Sequence, residues 1–224
     1  MAMLGDKTMI ERVYIQCIKS NLTEIIVATD DERIYKHVRT FGKVMMTGDH
    51  HKSGTDRCQE VIEKVRDQFD FVINIQGDEP FIDPAQINLL ANSLTPETEI
   101  ATLIKKIENQ EHLFNSNIVK VVRDVNNRAL YFSRSPIPHL RGKEEKEWLN
   151  HETFFKHIGM YAYQTGVLQK ITSLKQTSLE KIESLEQLRW LENGFSIQTF
   201  ETTIETIGVD SPEDLTQAEQ YLTS

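Results

Sequence analysis

Nothing in this chain of 224 residues approaches the ~20 consecutive apolar residues that a helix needs to cross a bilayer, so no membrane span is expected. The opening, Met1 to Lys7, is too poor in apolar length for a secretory leader. Cysteine is scarce. Cys17 and Cys58 sit alone in helix-like patterns, match no metal-ligand spacing, and read as reduced thiols of a cytoplasmic protein. Positive charge is in the minority: 25 Lys and Arg against 34 Asp and Glu leave a formal charge of -9. That balance argues against a general nucleic-acid binder, yet leaves room for a local basic pocket that takes small anions. There is no internal repeat and no low-complexity linker. A glycine-rich phosphate loop after an opening strand is also missing. The chain opens instead on a helical pattern, with Met9, Ile10, Val13, Tyr14, Cys17 and Ile18 as its apolar face.

What is present is an alternation of strand and helix. A strand over 24–29 ends at Asp30-Asp31. A helix over 31–41 stops at Gly42, a short strand covers 43–47, a helix covers 56–65, and Pro84 opens a further helix where proline costs nothing. Between the last two lies Phe71-Val72-Ile73-Asn74-Ile75-Gln76-Gly77-Asp78-Glu79-Pro80. Its apolar start reads as a buried parallel strand, and its acidic pair falls just past the strand's carboxyl end. The second half is more mixed. Strands are expected over 100–107, 118–123, 129–133, 155–163 and 196–202, with a turn at 124–127. An exposed loop is expected over 141–147, an amphipathic helix over 179–191 and a closing helix over 212–222. With a 39% hydrophobic fraction, the expectation is one soluble α/β domain over 1–224, a mixed, mostly parallel sheet with helices on both faces.

Three motifs carry chemistry. Asp78 stands where open α/β sheets bind ligands, and a carboxylate there beside a phosphate can hold magnesium; a turn capped by Asp and Pro is the plainer reading. His51-Lys52-Ser53-Gly54-Thr55-Asp56-Arg57 offers helix caps, a glycine for close approach and two cations, a set suited to phosphate or a base edge and also to an ordinary capped helix. In Gly208-Val209-Asp210-Ser211-Pro212-Glu213-Asp214-Leu215, capping accounts for Ser211 onward and leaves Asp210 over.

Taken in order, Ile26-Val27-Ala28-Thr29-Asp30, His51 to Arg57, Asn74 to Pro80, Tyr131-Phe132-Ser133-Arg134, Lys156-His157-Ile158-Gly159, Glu183 to Arg189 and Gly208 to Leu215 resemble the 3-deoxy-manno-octulosonate (Kdo) cytidylyltransferases. These are the CMP-Kdo synthetases of lipopolysaccharide synthesis, and the likeness covers nearly the whole chain. It implies a nucleotide-diphospho-sugar transferase-like, Rossmann-like fold, CTP and Kdo as substrates, and CMP-Kdo and pyrophosphate as products. It further implies Mg²⁺ as cofactor, held by Asp78 and Asp210, and a homodimer in the cytoplasm with neither nucleic acid nor membrane as partner. By the same resemblance, Gln76, Arg134, His157, Tyr161, Glu186 and Gln187 serve the sugar, and Lys52, Ser53, Gly54, Thr55 and Arg57 serve the nucleotide. A solvated helix face remains the competing account of Glu186 and Gln187, and a core position that of His157. Family members begin with a strand and an Arg/Lys-containing phosphate loop, for which these 224 residues hold no counterpart; the expectation is therefore weak CTP binding by this stretch alone. A cytidylyltransferase for another acidic sugar, such as a sialic acid, and a truncated non-catalytic relative are the alternatives.

Overall fold

Strand and helix alternate through the first 92 residues for reasons that are local and legible. A hairpin of β1 (Met3–Leu4) and β2 (Lys7–Thr8) turns through Gly5 at φ 64°, a backbone setting that suits a residue without Cβ. Thr8 then caps α1 (Met9–Cys17) by accepting the Glu11 N–H. β3 (Val27–Thr29), α2 (Glu32–Val38), β4 (Val44–Met46), α3 (Gly54–Lys64), β5 (Phe71–Asn74) and α4 (Pro84–Asn92) follow, with β3 and β4 paired in parallel. Asp31 and Ser53 cap α2 and α3. Because Ser53 takes the Asp56 N–H, α3 begins at Gly54, two residues before its expected start.

The computed structural model describes residues 2–65, 69–205, 208–209, 215, 218–220 and 222. Its contacts divide the chain into two units, Met1–Asn92 with Ile204–Ser224, and Ser93–Thr203. In the first, Leu4, Val209 and Ala218 form a buried cluster joined by Met9, Phe81 and Leu215, so the segment after 208 returns to the amino-terminal hairpin. Most of the closing helix expected over 212–222 lies outside the described residues.

The second unit holds β6 (Ile100–Lys106), α5 (Gln110–Phe114), β7 (Lys120–Arg123) and β8 (Ala129–Ser133). A 3-10 turn (Glu145–Glu147), α6 (Trp148–His151), β9 (Phe155–Gln164), α7 (Thr165–Thr172), α8 (Ser178–Glu183), α9 (Gln187–Glu192) and β10 (Ile197–Glu201) complete it. Its strands run in the order β10-β6-β9-β7-β8. β10 lies parallel to β6, whereas the β6–β9, β9–β7 and β7–β8 ladders are antiparallel, so this half of the sheet is mixed. β6 is buried along its first five residues, which is why it reads as an unbroken apolar run.

Residues 141–146 are exposed, as expected, but Glu145–Glu147 wind into a 3-10 turn and the chain turns inward at the next residue. Trp148 is buried with Ile107, Leu113 and Phe154, its Nε1 donates to the Lys143 carbonyl at 3.2 Å, and this satellite core folds the segment into helical turns. The helix expected over 179–191 is, instead, two helices. Ser184 adopts φ 54°, which ends α8; Ile182 is then left exposed while Leu185, Gln187, Leu188 and Trp190 are buried. A single helical stripe cannot do this, because the break rotates the residues after 184 relative to those before it.

Candidate active site

In the first unit, the carboxyl end of β5 brings Asn74 and, just past it, Gln76 to the start of α3. A Cβ added to Gly54 would lie 3.3 Å from Asn74 Nδ2 and 3.5 Å from Gln76 Nε2. The bare glycine thus lets the amino end of α3, with Ser53 and the buried Thr55, approach the carboxyl end of β5. Lys52 is exposed beside it. Arg57 has a different setting from the one its motif suggests. Its guanidinium donates to Asp30 Oδ2 at 3.0 Å, to the Thr47 hydroxyl and to the Gly48 carbonyl at 3.4 Å. It ties the ends of β3 and β4 to α3. His51 Nε2 meets Glu60 Oε2 at 2.5 Å, and hydrogen bonds from Lys64, the Gly48 N–H and His51 hold the Glu60 carboxyl down at about 2. The motif is therefore pinned at both ends.

Asp78 is half-buried just beyond β5. Its carbonyl accepts the Val209 N–H at 2.9 Å, and Gly208 packs against the Glu79 carboxylate. The segment leading to residue 210 is thereby held beside Asp78. Asp210 itself lies outside the described residues. Among the described residues no group of three or more His, Cys, Asp or Glu side chains forms a metal cage. The donor set is one or two carboxylates at a strand end, which fits magnesium, an ion that usually takes few protein oxygens and fills its shell from water and substrate phosphates.

In the second unit, Arg134, His157, Tyr161, Glu186 and Gln187 come from β8, β9 and the α8–α9 segment. Thr102 donates its hydroxyl to the Met160 carbonyl at 2.7 Å and so accepts from His157 Nε2 at 2.9 Å, which leaves Nδ1 as an acceptor. Phe132 and Tyr161 enclose the imidazole. Burial drives its pKa from 6.5 down to about 3, so the ring is neutral. Tyr161 packs on Tyr163 and Trp190, and its hydroxyl is buried with no hydrogen-bond partner among the described residues. Burial, then Tyr163 and the Glu186 charge, push its phenol well up. Glu186 is oriented by Arg189, whose Nη2 donates to it at 2.6 Å, while Gln187 is buried rather than on a solvated face.

Arg134 Nε donates to the Glu183 carbonyl at 2.7 Å, Nη1 to the Ser116 carbonyl at 3.1 Å and Nη2 to the Ser184 carbonyl at 3.4 Å. Nearby, the fully buried Lys120 donates to the carbonyls of Asn115 at 2.9 Å and Ile118 at 2.6 Å. Burial, reinforced by Arg134, lowers its pKa. Thr102 and Glu183 carry no local sequence signal for these roles, because their partners lie about 50 residues away, whereas Lys120 is held by the turn just before its own strand.

Neutral His157 has a consequence for acid stability. Between pH 6.5 and about 3 the unfolded chain binds a proton that the folded site refuses, so stability falls as pH drops through that window. In urea melts from pH 7 to pH 4, His157→Gln is expected to flatten that decline; an unchanged slope would show that other groups govern it.

A model of the cytidylyltransferase family matches residues 1–207. The chain is 57% identical over 215 residues to the 3-deoxy-manno-octulosonate cytidylyltransferase of Cytophaga hutchinsonii, covering 95% of this chain and 86% of that protein. It is 53% identical over 227 residues to the protein of the same name from Bacteroides thetaiotaomicron, covering 99% and 90%. Among solved structures, a CMP:2-keto-3-deoxy-manno-octonic acid synthetase in complex with CTP superimposes with a TM-score of 0.91 at 39% identity, covering 99% of this chain and 90% of that one. A 4-diphosphocytidyl-2C-methyl-D-erythritol synthase from Anaerococcus prevotii, at TM-score 0.65 and 14% identity, shares the fold alone.

Proposed function

The chain belongs to the 3-deoxy-manno-octulosonate cytidylyltransferases, and from that premise we propose that Arg134 grips the carboxylate of Kdo while the protein transfers CMP to it from CTP. The sugar's anomeric hydroxyl attacks the α-phosphate. The new P–O bond forms as the bond to pyrophosphate breaks, and the attacking oxygen loses its proton. No protein nucleophile takes part, so the work of the chain is positioning and charge compensation.

The observation that carries this reading is Arg134. Its guanidinium is held by three neutral carbonyls and, among the described residues, has no carboxylate within ion-pair distance. Its charge is thus available to an anion, and a carboxylate suits the planar fork. Neutral His157, with Nδ1 as acceptor, and the Tyr161 hydroxyl suit a polyol. Gln76, Glu186 and Gln187 serve further hydroxyls. On the nucleotide side, Lys52 and the backbone and side chains of Ser53, Gly54 and Thr55 meet CTP, and Arg57 keeps that loop in place. Asp78 and Asp210 hold Mg²⁺. The ion would supply positive charge against the phosphates and would make the attacking hydroxyl more acidic. The setting is a cytoplasmic homodimer feeding lipopolysaccharide synthesis.

Incubating the protein with CTP, Kdo and Mg²⁺ tests the reading. Pyrophosphate release that requires Kdo, with CMP-Kdo seen by phosphorus NMR, is the expected result. Equal turnover with a sialic acid would remove the sugar assignment, and no Kdo-dependent release would remove the activity.

A further inference from the structure

We propose that Glu183 is the positioning residue of the carboxylate subsite: it fixes Arg134 in place without neutralising it. This rests on the reading of Arg134 given above. Five other arginines are each paired with a carboxylate, Arg33 with Asp31 at 2.5 Å among them. Arg12 pairs with Asp6 at 2.7 Å, Arg57 with Asp30 at 3.0 Å, Arg123 with Glu201 at 3.2 Å and Arg189 with Glu186 at 2.6 Å. Arg134 is treated differently although a carboxylate is close at hand. Glu183 turns its two oxygens to the chain around Arg134: Oε1 accepts the Ser133 hydroxyl at 2.6 Å and Oε2 accepts the Arg134 N–H at 2.9 Å. Ser133, itself buried, accepts the Ser135 N–H at 3.0 Å. One carboxylate therefore organises the backbone bend at the end of β8, from which the Arg134 side chain departs.

The same residue offers its main chain to the guanidinium. In a continuing helix the carbonyls of Glu183 and Ser184 would be taken by the N–H groups four residues on. Ser184 instead enters the left-handed region at φ 54°, an uncommon setting for a residue with a Cβ. The helix stops, and both carbonyls accept from Arg134, from Nε at 2.7 Å and from Nη2 at 3.4 Å. The third carbonyl, of Ser116, belongs to the turn that also holds the Lys120 ammonium through Asn115 and Ile118. Two cations, Lys120 and Arg134, thus share one turn. Glu183 supplies a negative charge nearby without pairing with the guanidinium, which leaves the fork open to a carboxylate.

A positioning role and a purely electrostatic one predict opposite signs. Glu183→Gln removes a negative charge beside the anion site, so electrostatics alone would tighten Kdo. If Glu183 acts by ordering Arg134, the loss of one of its two acceptors loosens Kdo instead. The expected result is a KM for Kdo raised about tenfold, with the KM for CTP and the melting temperature little changed, and no further rise when the change is added to Arg134→Ala. Ser133→Ala removes one of the Glu183 contacts while keeping the charge, and should raise the KM for Kdo in the same selective way. The proposal is overturned by an unchanged or lower KM for Kdo in either variant, by equal rises for both substrates, or by effects that add to those of Arg134→Ala. Should Arg134→Ala itself leave the KM for Kdo unchanged, the reading of Arg134 fails first and takes this proposal with it.

Discussion

Asparagine in place of Asp78 is expected to lower kcat by about 10³-fold while the protein still folds and still binds both substrates. The substitution is nearly isosteric. The Asp78 carbonyl, which accepts the Val209 N–H at 2.9 Å, is main chain and stays as it is. What disappears is a negative charge at the carboxyl end of β5, the charge that in the proposed reading would hold Mg²⁺. An interaction that strengthens on the way to the transition state shows up in kcat more than in KM. The comparison to make is kcat across a Mg²⁺ titration, with thermal melts alongside. A kcat within a few-fold of the parent would retire Asp78 as a metal ligand. A large fall in melting temperature would instead assign the carboxylate to holding the strand end.

The contrast between Asp78 and Ser184 indicates what the sequence makes legible. The strand before Asp78 is a contiguous apolar run with β-branched members, and Gly77 and Pro80 punctuate its end; every signal is within ten residues. The caps Thr8, Asp31 and Ser53 are local in the same sense, so the elements that carry the nucleotide side can be read directly. The break at Ser184 is different. Residues 179–191 keep a helical spacing of leucines throughout, and serine has no special liking for positive φ. The turn is stabilised by its acceptance of Arg134, which comes from β8, 50 residues earlier. Periodicity therefore favoured one helix, and only tertiary pairing reveals two. Trp148 is a similar case: the charged residues before it are exposed, as their composition implies, while its own burial depends on Ile107, Leu113 and Phe154 from other elements.

The site residues divide along the same line. Gln76 and Gly54 meet because strand and helix ends converge in α/β topology, which the alternation of elements already implies. Arg57 could be placed next to the nucleotide loop from its motif, but not its commitment to Asp30 and Thr47, since those lie at the ends of two other strands. Likewise, His157 looked like either a core residue or a ligand. The structure gives it traits of both: it is neutral by burial, tied to Thr102 through Nε2, and left with an acceptor at Nδ1.

Arg134→Ala is the second change with a large expected effect, a KM for Kdo raised by about 10- to 100-fold, and its argument turns on separating two losses. Removing the guanidinium leaves the half-buried Glu183 carbonyl without its donor, while the exposed Ser184 and Ser116 carbonyls turn to water, at a cost to stability of about 0.5–1.5 kcal/mol. That cost falls on the fold and would touch CTP and Kdo alike. The other loss is specific: a charged, two-pronged donor set for a carboxylate, worth about 1.5–3 kcal/mol for a hydrogen bond to a charged group. Lys120 remains nearby, but its ammonium already serves two carbonyls and it is fully buried, so it cannot replace the fork. Arg134→Lys keeps the charge without the planar geometry and should fall between parent and alanine. Steady-state assays of pyrophosphate release, varying Kdo at saturating CTP and then the reverse, separate the two. A rise confined to Kdo identifies the carboxylate grip, whereas matched rises for both substrates would reduce Arg134 to a strut between β8 and the end of α8.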